Sequence, residues 1–212
     1  MPAAGARVRA PSREELRRRI EGVIERKGGI EILQLSGGEP TLHPEFLELL
    51  DWALRHPRID YVLLNTNGVR LAQDEGFFEG LRSVHRPGRL QLYLQFDGPQ
   101  EAGQRELRGA DLREVRRRVL ERCEAVPIPV TLAMTVTRAN LAHVWEAIEY
   151  GLGWRQVRGV SFQPAFLSGR GWTTGSERLN TADIVLAAVA QSGGRLRLED
   201  FTPLGLFLRA LP

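Results

Sequence analysis

Apolar positions recur along the chain with two alternating kinds of spacing. Over residues 12–27, Leu16, Ile20, Val23 and Ile24 fall at helical spacing, the signature of one buried helix face. Ser12, with Glu15 three residues on, spells a capping box, and Gly28-Gly29 supplies the stop. Ile30 to Leu35 then reads as a short buried strand ending at Ser36-Gly37-Gly38. Pro44 to Arg55 is helical, with Phe46, Leu49, Leu50 and Ala53 on one side. Asp60 to Leu64 is a second strand, a short helix covers 74–83, and Leu90 to Phe96 is a third strand. Leu112 to Ala125 is helical, Pro129 to Val136 a fourth strand, Leu141 to Leu152 a helix and Val157 to Phe162 a fifth strand. A polar, Gly-rich loop follows from Leu167 to Asn180. Thr181 caps a helix over 182–191, ended by Gly193-Gly194, and Arg195 to Leu198 reads as a last short strand.

Short strands separated by helices of ten or more residues predict βαβ units and a parallel sheet. The strands read as nearly continuous apolar runs, the pattern of strands covered on both faces. No Pro- or Ser-rich linker divides the chain. The 212 residues are enough for one domain with a real core.

Composition narrows the function classes. Charged residues make up 26% and hydrophobic ones 42%, ordinary for a globular chain. No run approaches the ~18 apolar residues of a membrane span, and the first ten residues lack the apolar core of a signal peptide. A cytoplasmic location is the expectation. A pI near 9.6 invites a nucleic-acid reading, but the net charge is only +3. The clusters Arg17-Arg18-Arg19 and Arg113 to Arg118 are interleaved with glutamates, which reads as solvated helix faces and not as a nucleic-acid patch.

The chemistry gathers where strands end. Ser36-Gly37-Gly38-Glu39, Asn65-Thr66-Asn67-Gly68, Gln95 with Asp97-Gly98, Thr135 with Thr137, and Gln163-Pro164 all follow predicted strands. In parallel α/β folds that edge binds ligands. Singly, each has a structural reading: Asn-Gly and Asp-Gly are turn dipeptides, and Ser or Thr caps a following helix. Together they form a candidate ligand rim. Glycines at a strand end admit a ligand close to the backbone, a glutamate there faces a cationic amine, and Pro40 sets the turn that follows.

Gly37-Gly38-Glu39-Pro40 resembles the motif by which radical S-adenosylmethionine (radical SAM) proteins hold the amino group of that cofactor. With Asn65-Thr66-Asn67-Gly68, Gln95-Phe96-Asp97-Gly98, Val160-Ser161-Phe162-Gln163-Pro164 and Asp200-Phe201-Thr202-Pro203, the chain resembles the tetraether-lipid-synthase-like and methanopterin-methylase-like subgroup. The resemblance covers roughly residues 11–203. It implies an incomplete parallel (β/α)6-type barrel lacking the first strand and cluster loop, with residues 1–10 and 204–212 as tails. It implies that Gly37, Gly38, Glu39 and Pro40 hold the methionine amine, and that Thr66 and Asn67 lie beside the sulfonium. Gln95 and Asp97 would address the ribose and carboxylate region, and Thr135 with Gln163 and Pro164 would frame the adenine.

The family's chemistry uses a [4Fe–4S] cluster on three cysteines to cleave S-adenosylmethionine reductively to a 5′-deoxyadenosyl radical. A ferredoxin or flavodoxin would supply the electron, and the substrate would be a small molecule or lipid. This sequence has one cysteine, Cys123, near the end of a predicted helix, so neither catalytic nor metal-binding residues are assigned in it. Two expectations stand side by side: a reading that starts after the cluster loop of a full enzyme, or a non-catalytic S-adenosylmethionine-binding or structural remnant. In either case the Ile30–Leu35 strand would have an open edge, which predicts association or poor solubility. His43 reads as a helix-entry residue, and His56, His85 and His143 share no ligand spacing. Trp145, Trp154 and Trp172 read as packing residues. Arg170, in the Gly-rich loop, meets either a substrate anion or solvent.

Overall fold

The computed structural model describes residues 10–101, 103–165 and 179–203. Helix α1 (Arg13–Lys27) begins as its capping box dictates: the Glu15 N–H donates to Ser12 Oγ, and the Ser12 N–H donates to the Glu15 carboxylate at 2.7 Å. It ends at Gly28, whose φ of 86° turns its N–H onto the Ile24 carbonyl, a conformation natural to glycine. Strand β1 (Ile30–Leu35) follows, then a single 3-10 turn at Pro40–Leu42, α2 (Phe46–Arg55) and β2 (Ile59–Thr66). Next come α3 (Val69–Gln73), α4 (Glu75–Val84), β3 (Leu90–Gln95), α5 (Gln104–Arg108) and α6 (Arg113–Ala125). The chain continues through β4 (Val130–Val136), α7 (Val144–Leu152), β5 (Val157–Pro164) and α8 (Thr181–Gln191).

The strands form one open, parallel five-stranded sheet in the order β1-β2-β3-β4-β5. Each strand therefore pairs with the next in sequence, as helical crossovers between parallel strands produce. Register places Leu35 beside Leu64, Leu64 beside Leu92 and Thr66 beside Leu94.

The chain forms two compact units. The first comprises residues through Gln95 with Glu114–Thr131 and Arg155–Arg158. The second comprises Phe96–Arg113, Leu132–Trp154 and the chain from Gly159 on. The first unit buries Ile24, Leu50, Leu54, Ile59, Leu64, Leu81, Leu92 and Val119. The second buries Leu132, Met134, Val136, Val144 and Ile184, and Phe96 stacks on Tyr150 at 5.1 Å between ring centroids.

Several expectations change. β2 and β3 are not covered equally on both faces: Val62, Leu64, Leu92 and Leu94 are buried, while Tyr61, Asn65, Gln91, Tyr93 and Gln95 are half-buried. The alternation in Leu-Gln-Leu-Tyr-Leu-Gln carries that signal. Tyr61 OH donates to Gln91 Oε1 at 2.7 Å, and Gln91 Nε2 donates to Thr131 Oγ1 at 2.6 Å, a polar chain along the half-buried side. Asn180, not Thr181, caps α8, in a reciprocal pair with Asp183. Arg195–Leu198 forms no strand; the Leu196 N–H donates to Ser192 Oγ at 3.0 Å, and a 3-10 turn at Leu198–Asp200 follows. α3 and α5 were not foreseen. Arg113 and Arg117 do sit in surface ion pairs with Asp111 and Glu114, but Arg116, in the same cluster, is buried with only 1% exposure. No helix among the described residues is long and apolar enough to cross a membrane.

Candidate functional site

In the first unit the site is built around one carboxylate. Glu39 precedes the 3-10 turn at Pro40–Leu42, and its Oε1 accepts from the Thr41 N–H (3.2 Å), Thr41 Oγ1 (2.7 Å) and Thr66 Oγ1 (2.8 Å). Among the described residues its Oε2 accepts only from the Asn67 N–H, at 2.7 Å. The carboxylate thus bridges the loop after β1 and the turn after β2, and Oε2 retains lone-pair capacity for another donor. Four hydrogen bonds to an acceptor fix its position before any ligand arrives.

Gly37 and Gly38 lie just ahead of it. Gly37 holds φ at 146°, and a Cβ on either glycine would meet nothing within 4 Å. The loop therefore offers exposed backbone beside a fixed carboxylate, an arrangement that suits a primary ammonium. The same loop borders a groove of about 510 Å³ whose walls include Leu16, Ile20, Leu33, Leu35 and Phe46.

The turn after β2 is held as firmly. Thr66 is buried, and its Oγ1 accepts from the Gly68 N–H at 3.0 Å. Asn67 Oδ1 accepts from the Val69 N–H at 2.9 Å and starts α3. Gly68 has φ of 75°, and a Cβ there would stand 2.8 Å from Leu94 Cδ1 and 3.0 Å from Val119 Cγ2, so both backbone angle and space demand glycine. Two arginines brace the arrangement: Arg116 Nη1 donates to the Asn67 carbonyl from α6, and Arg70 Nη1 donates to the Thr41 carbonyl. Neither arginine was singled out from sequence, and a guanidinium's burial depends on partners that periodicity does not reveal.

In the second unit, Asp97 is fully buried and adopts φ of 59°, the one positive φ among the described non-glycine residues. Its Oδ2 accepts from Arg108 Nε at 2.5 Å. Its Oδ1 accepts from Arg108 Nη2 at 3.1 Å and from the Thr135 N–H at 3.1 Å. Asp97 is thus enclosed, both oxygens engaged and the side chain without exposed surface. It holds the guanidinium of Arg108, a residue the sequence reading passed over, by its Nε edge, leaving Nη1 without a partner among the described residues. Thr135 contributes its backbone N–H to this carboxylate, and its side chain is half-buried.

The remaining sequence candidates are more dispersed. Gln95 is half-buried at the end of β3, Gln163 is exposed and Pro164 half-buried at the end of β5. His43 donates from Nε2 to the Pro11 carbonyl at 2.9 Å and accepts the Glu45 N–H on Nδ1, so it pins the entry to α1. Trp145 is buried beneath the Arg195 guanidinium, 4.5 Å from its ring centroid. Arg170 and Trp172 lie outside the described residues. Cys123 is buried on α6, and desolvation pushes its thiol up to about 12. A thiol so protonated is a poor metal ligand. Among the described residues no group of three His, Cys, Asp or Glu is placed to hold a metal ion.

Residues 2–151 match the model of the radical SAM superfamily. The chain is 31% identical over 202 residues to the 7,8-dihydro-6-hydroxymethylpterin dimethyltransferase of Methanocaldococcus jannaschii, covering 93% of this chain and 39% of that protein. It is 34% identical over 140 residues to the PqqA peptide cyclase of Gluconobacter oxydans, covering 62% of this chain and 37% of the relative. The chain thus spans about two-fifths of the length of these relatives. Among solved structures, a domain of the pyruvate-formate lyase-activating enzyme from Bacteroides vulgatus superposes with a TM-score of 0.53 at 12% identity, covering 76% of this chain and 94% of that one.

Proposed function

The chain belongs to the radical SAM superfamily, and from that premise we propose that it binds S-adenosylmethionine with the methionine amine seated on Glu39. The observation that carries the reading is the Glu39 carboxylate, fixed by Thr41, Thr66 and Asn67, with Oε2 still able to accept and glycine backbone bare beside it. An ammonium donating to that oxygen makes a charge-assisted hydrogen bond without reorganising the site. Thr66 and Asn67 belong to the same cluster and keep the expected place beside the sulfonium.

The resemblance gives the ribose and carboxylate region to Gln95 and Asp97, and the Asp97 oxygens are engaged by Arg108 and the Thr135 N–H. Gln95, Asp97, Thr135, Gln163 and Pro164 keep the ribose, carboxylate and adenine roles that the resemblance implies.

When bound, a [4Fe–4S] cluster supplies the electron that breaks S-adenosylmethionine into methionine and a 5′-deoxyadenosyl radical. Such a cluster needs thiolates, and this chain's residues do not fit it: its single cysteine is buried and protonated. No redox step is assigned to these residues. The names of the relatives support a small-molecule or peptide substrate for a protein that also supplies the cluster; a ferredoxin or flavodoxin as electron donor is what the resemblance implies.

Isothermal titration of the chain with S-adenosylmethionine tests the reading. Saturable binding is expected, weakened about tenfold or more in Glu39→Gln, the scale of one lost charge-assisted hydrogen bond. Absence of binding by the wild-type chain overturns the assignment. Iron analysis after anaerobic reconstitution addresses the alternative: a bound cluster that yields 5′-deoxyadenosine would replace the binding-only reading with a catalytic one.

A further inference from the structure

Thr41 is fully buried, and each of its polar groups is committed. Its N–H and its Oγ1 both donate to Glu39 Oε1, at 3.2 and 2.7 Å. Its carbonyl is left over by the 3-10 turn, whose own backbone bonds run from the Leu42 N–H to the Glu39 carbonyl at 3.1 Å and from the His43 N–H to the Pro40 carbonyl at 3.0 Å. A buried carbonyl needs a donor from elsewhere, and Arg70 Nη1, on α3, supplies it. One residue thus carries the carboxylate at its amide end and a guanidinium at its carbonyl end.

Arg70 does not reach Thr41 as a loose surface chain. Its Nε donates to Asp74 Oδ2 at 3.1 Å, and its Cζ lies 4.1 Å from the centroid of the Phe77 ring. Asp74 Oδ1 accepts the Phe77 N–H at 2.9 Å and so caps α4. The Phe77 N–H first, and Arg70 second, hold the Asp74 carboxyl below its ordinary range, so it is ionised at neutral pH. Phe77 packs on Phe46, with 5.9 Å between ring centroids, and Phe46 is a wall of the same groove that Glu39 borders. A guanidinium is planar and forked, so one edge can be pinned to α4 while another nitrogen is delivered to the turn. All of these residues lie within the first unit.

We propose that Arg70 is a positioning residue for Glu39: pinned on α4 by Asp74 and Phe77, it holds Thr41, and Thr41 holds the carboxylate in place to receive a ligand ammonium. The proposal rests on the reading that Glu39 seats the methionine amine. Arg70 acts without touching the ligand. Without it the Thr41 carbonyl loses its donor, the turn shifts to satisfy that carbonyl with water, and the two donors on Oε1 shift with it. The effect falls on the amine and on no other part of the ligand.

Two probes isolate the amine. S-adenosylhomocysteine carries it; the deamino analogue keeps the carboxylate, the thioether and the adenosine and lacks only the amino group. In isothermal titration the wild-type chain should favour the former about tenfold or more, the scale of one charge-assisted hydrogen bond, and Glu39→Gln should abolish the preference. Arg70→Met keeps aliphatic packing against Phe77 and donates nothing. It should cut the preference to about threefold or less while affinity for the deamino analogue changes less than about twofold. Arg70→Lys, with a single nitrogen to share between Asp74 and Thr41, should recover part of the loss. Arg70→Gln, a shorter side chain that still offers an amide, should lose the preference in the same way and stands in if the methionine variant does not fold. Equal weakening of both probes together with a lowered melting temperature would mean a purely structural role and would overturn the proposal, as would an undiminished preference in a folded Arg70→Met or Arg70→Gln. The failures beneath it are told apart before any Arg70 variant is made. A wild-type chain that binds neither probe sinks the S-adenosylmethionine reading, one that binds both alike sinks the amine role of Glu39, and either takes the proposal with it.

Discussion

Glu39 and Cys123 show how local environment decides what an ionisable side chain can do. The glutamate sits half-buried among hydroxyl and amide donors and keeps lone-pair capacity on Oε2. The cysteine is buried on α6, and its thiol rises to about 12 through desolvation. The second fact has a thermodynamic consequence. Between about pH 9 and the folded value, an unfolded chain releases the thiol proton while the folded chain retains it. The folded state then binds more protons, so stability falls as pH rises, by at most ~1.4 kcal/mol per pH unit for one group. Thermal melts of the wild type and Cys123→Ala should diverge in slope above about pH 9, the variant losing less stability. Burial raises Tyr61 as well, but that contribution is common to both proteins and cancels in the comparison. Parallel melting curves would contradict the burial argument.

Among the elements, the caps of α1 were legible because they are local: Ser12, Glu15 and Gly28 specify start and stop within a few residues of each other, and the structure uses all three. Removing the cap hydroxyl with Ser12→Ala should cost about 1 kcal/mol in urea unfolding, the usual value for such a cap, and no change in the midpoint would mean that tertiary packing alone holds α1. The five strands were legible for the same reason, as short apolar runs with glycine or polar ends. α3 and α5 were not, since five residues are too few to display a helical period. Each follows a strand-end turn and is set by that turn: Asn67 Oδ1 receives the first N–H of α3, and Gly103, at positive φ, leads into α5. Arg116 was invisible for a different reason. Its neighbours in sequence are charged and solvated, and the carbonyl of Asn67 that it meets lies 49 residues away in the chain.

For the molecule as a whole, the β1 edge matters most. Among the described residues β1 pairs with β2 alone, and Ile32 is 61% exposed on it. An apolar edge strand with unpaired backbone groups recruits other strands, and an added lysine is a common safeguard. Sedimentation velocity should show association of the wild-type chain with rising concentration, reduced in Ile32→Lys; a wild type that stays monomeric across the range would refute the expectation. The candidate site was legible in part. Gly37-Gly38-Glu39 and the Thr66-Asn67 turn lie in contiguous motifs, whereas Arg108 meets Asp97 through the folding of a loop whose geometry no spacing rule encodes. Arg116 carries a last consequence. A guanidinium keeps its proton at any pH the polypeptide survives, whereas a buried lysine readily gives its proton up. The tether from α6 to the Asn67 carbonyl is therefore indifferent to acidity, and the turn that supports Glu39 is braced by a charge that no change of compartment can switch off.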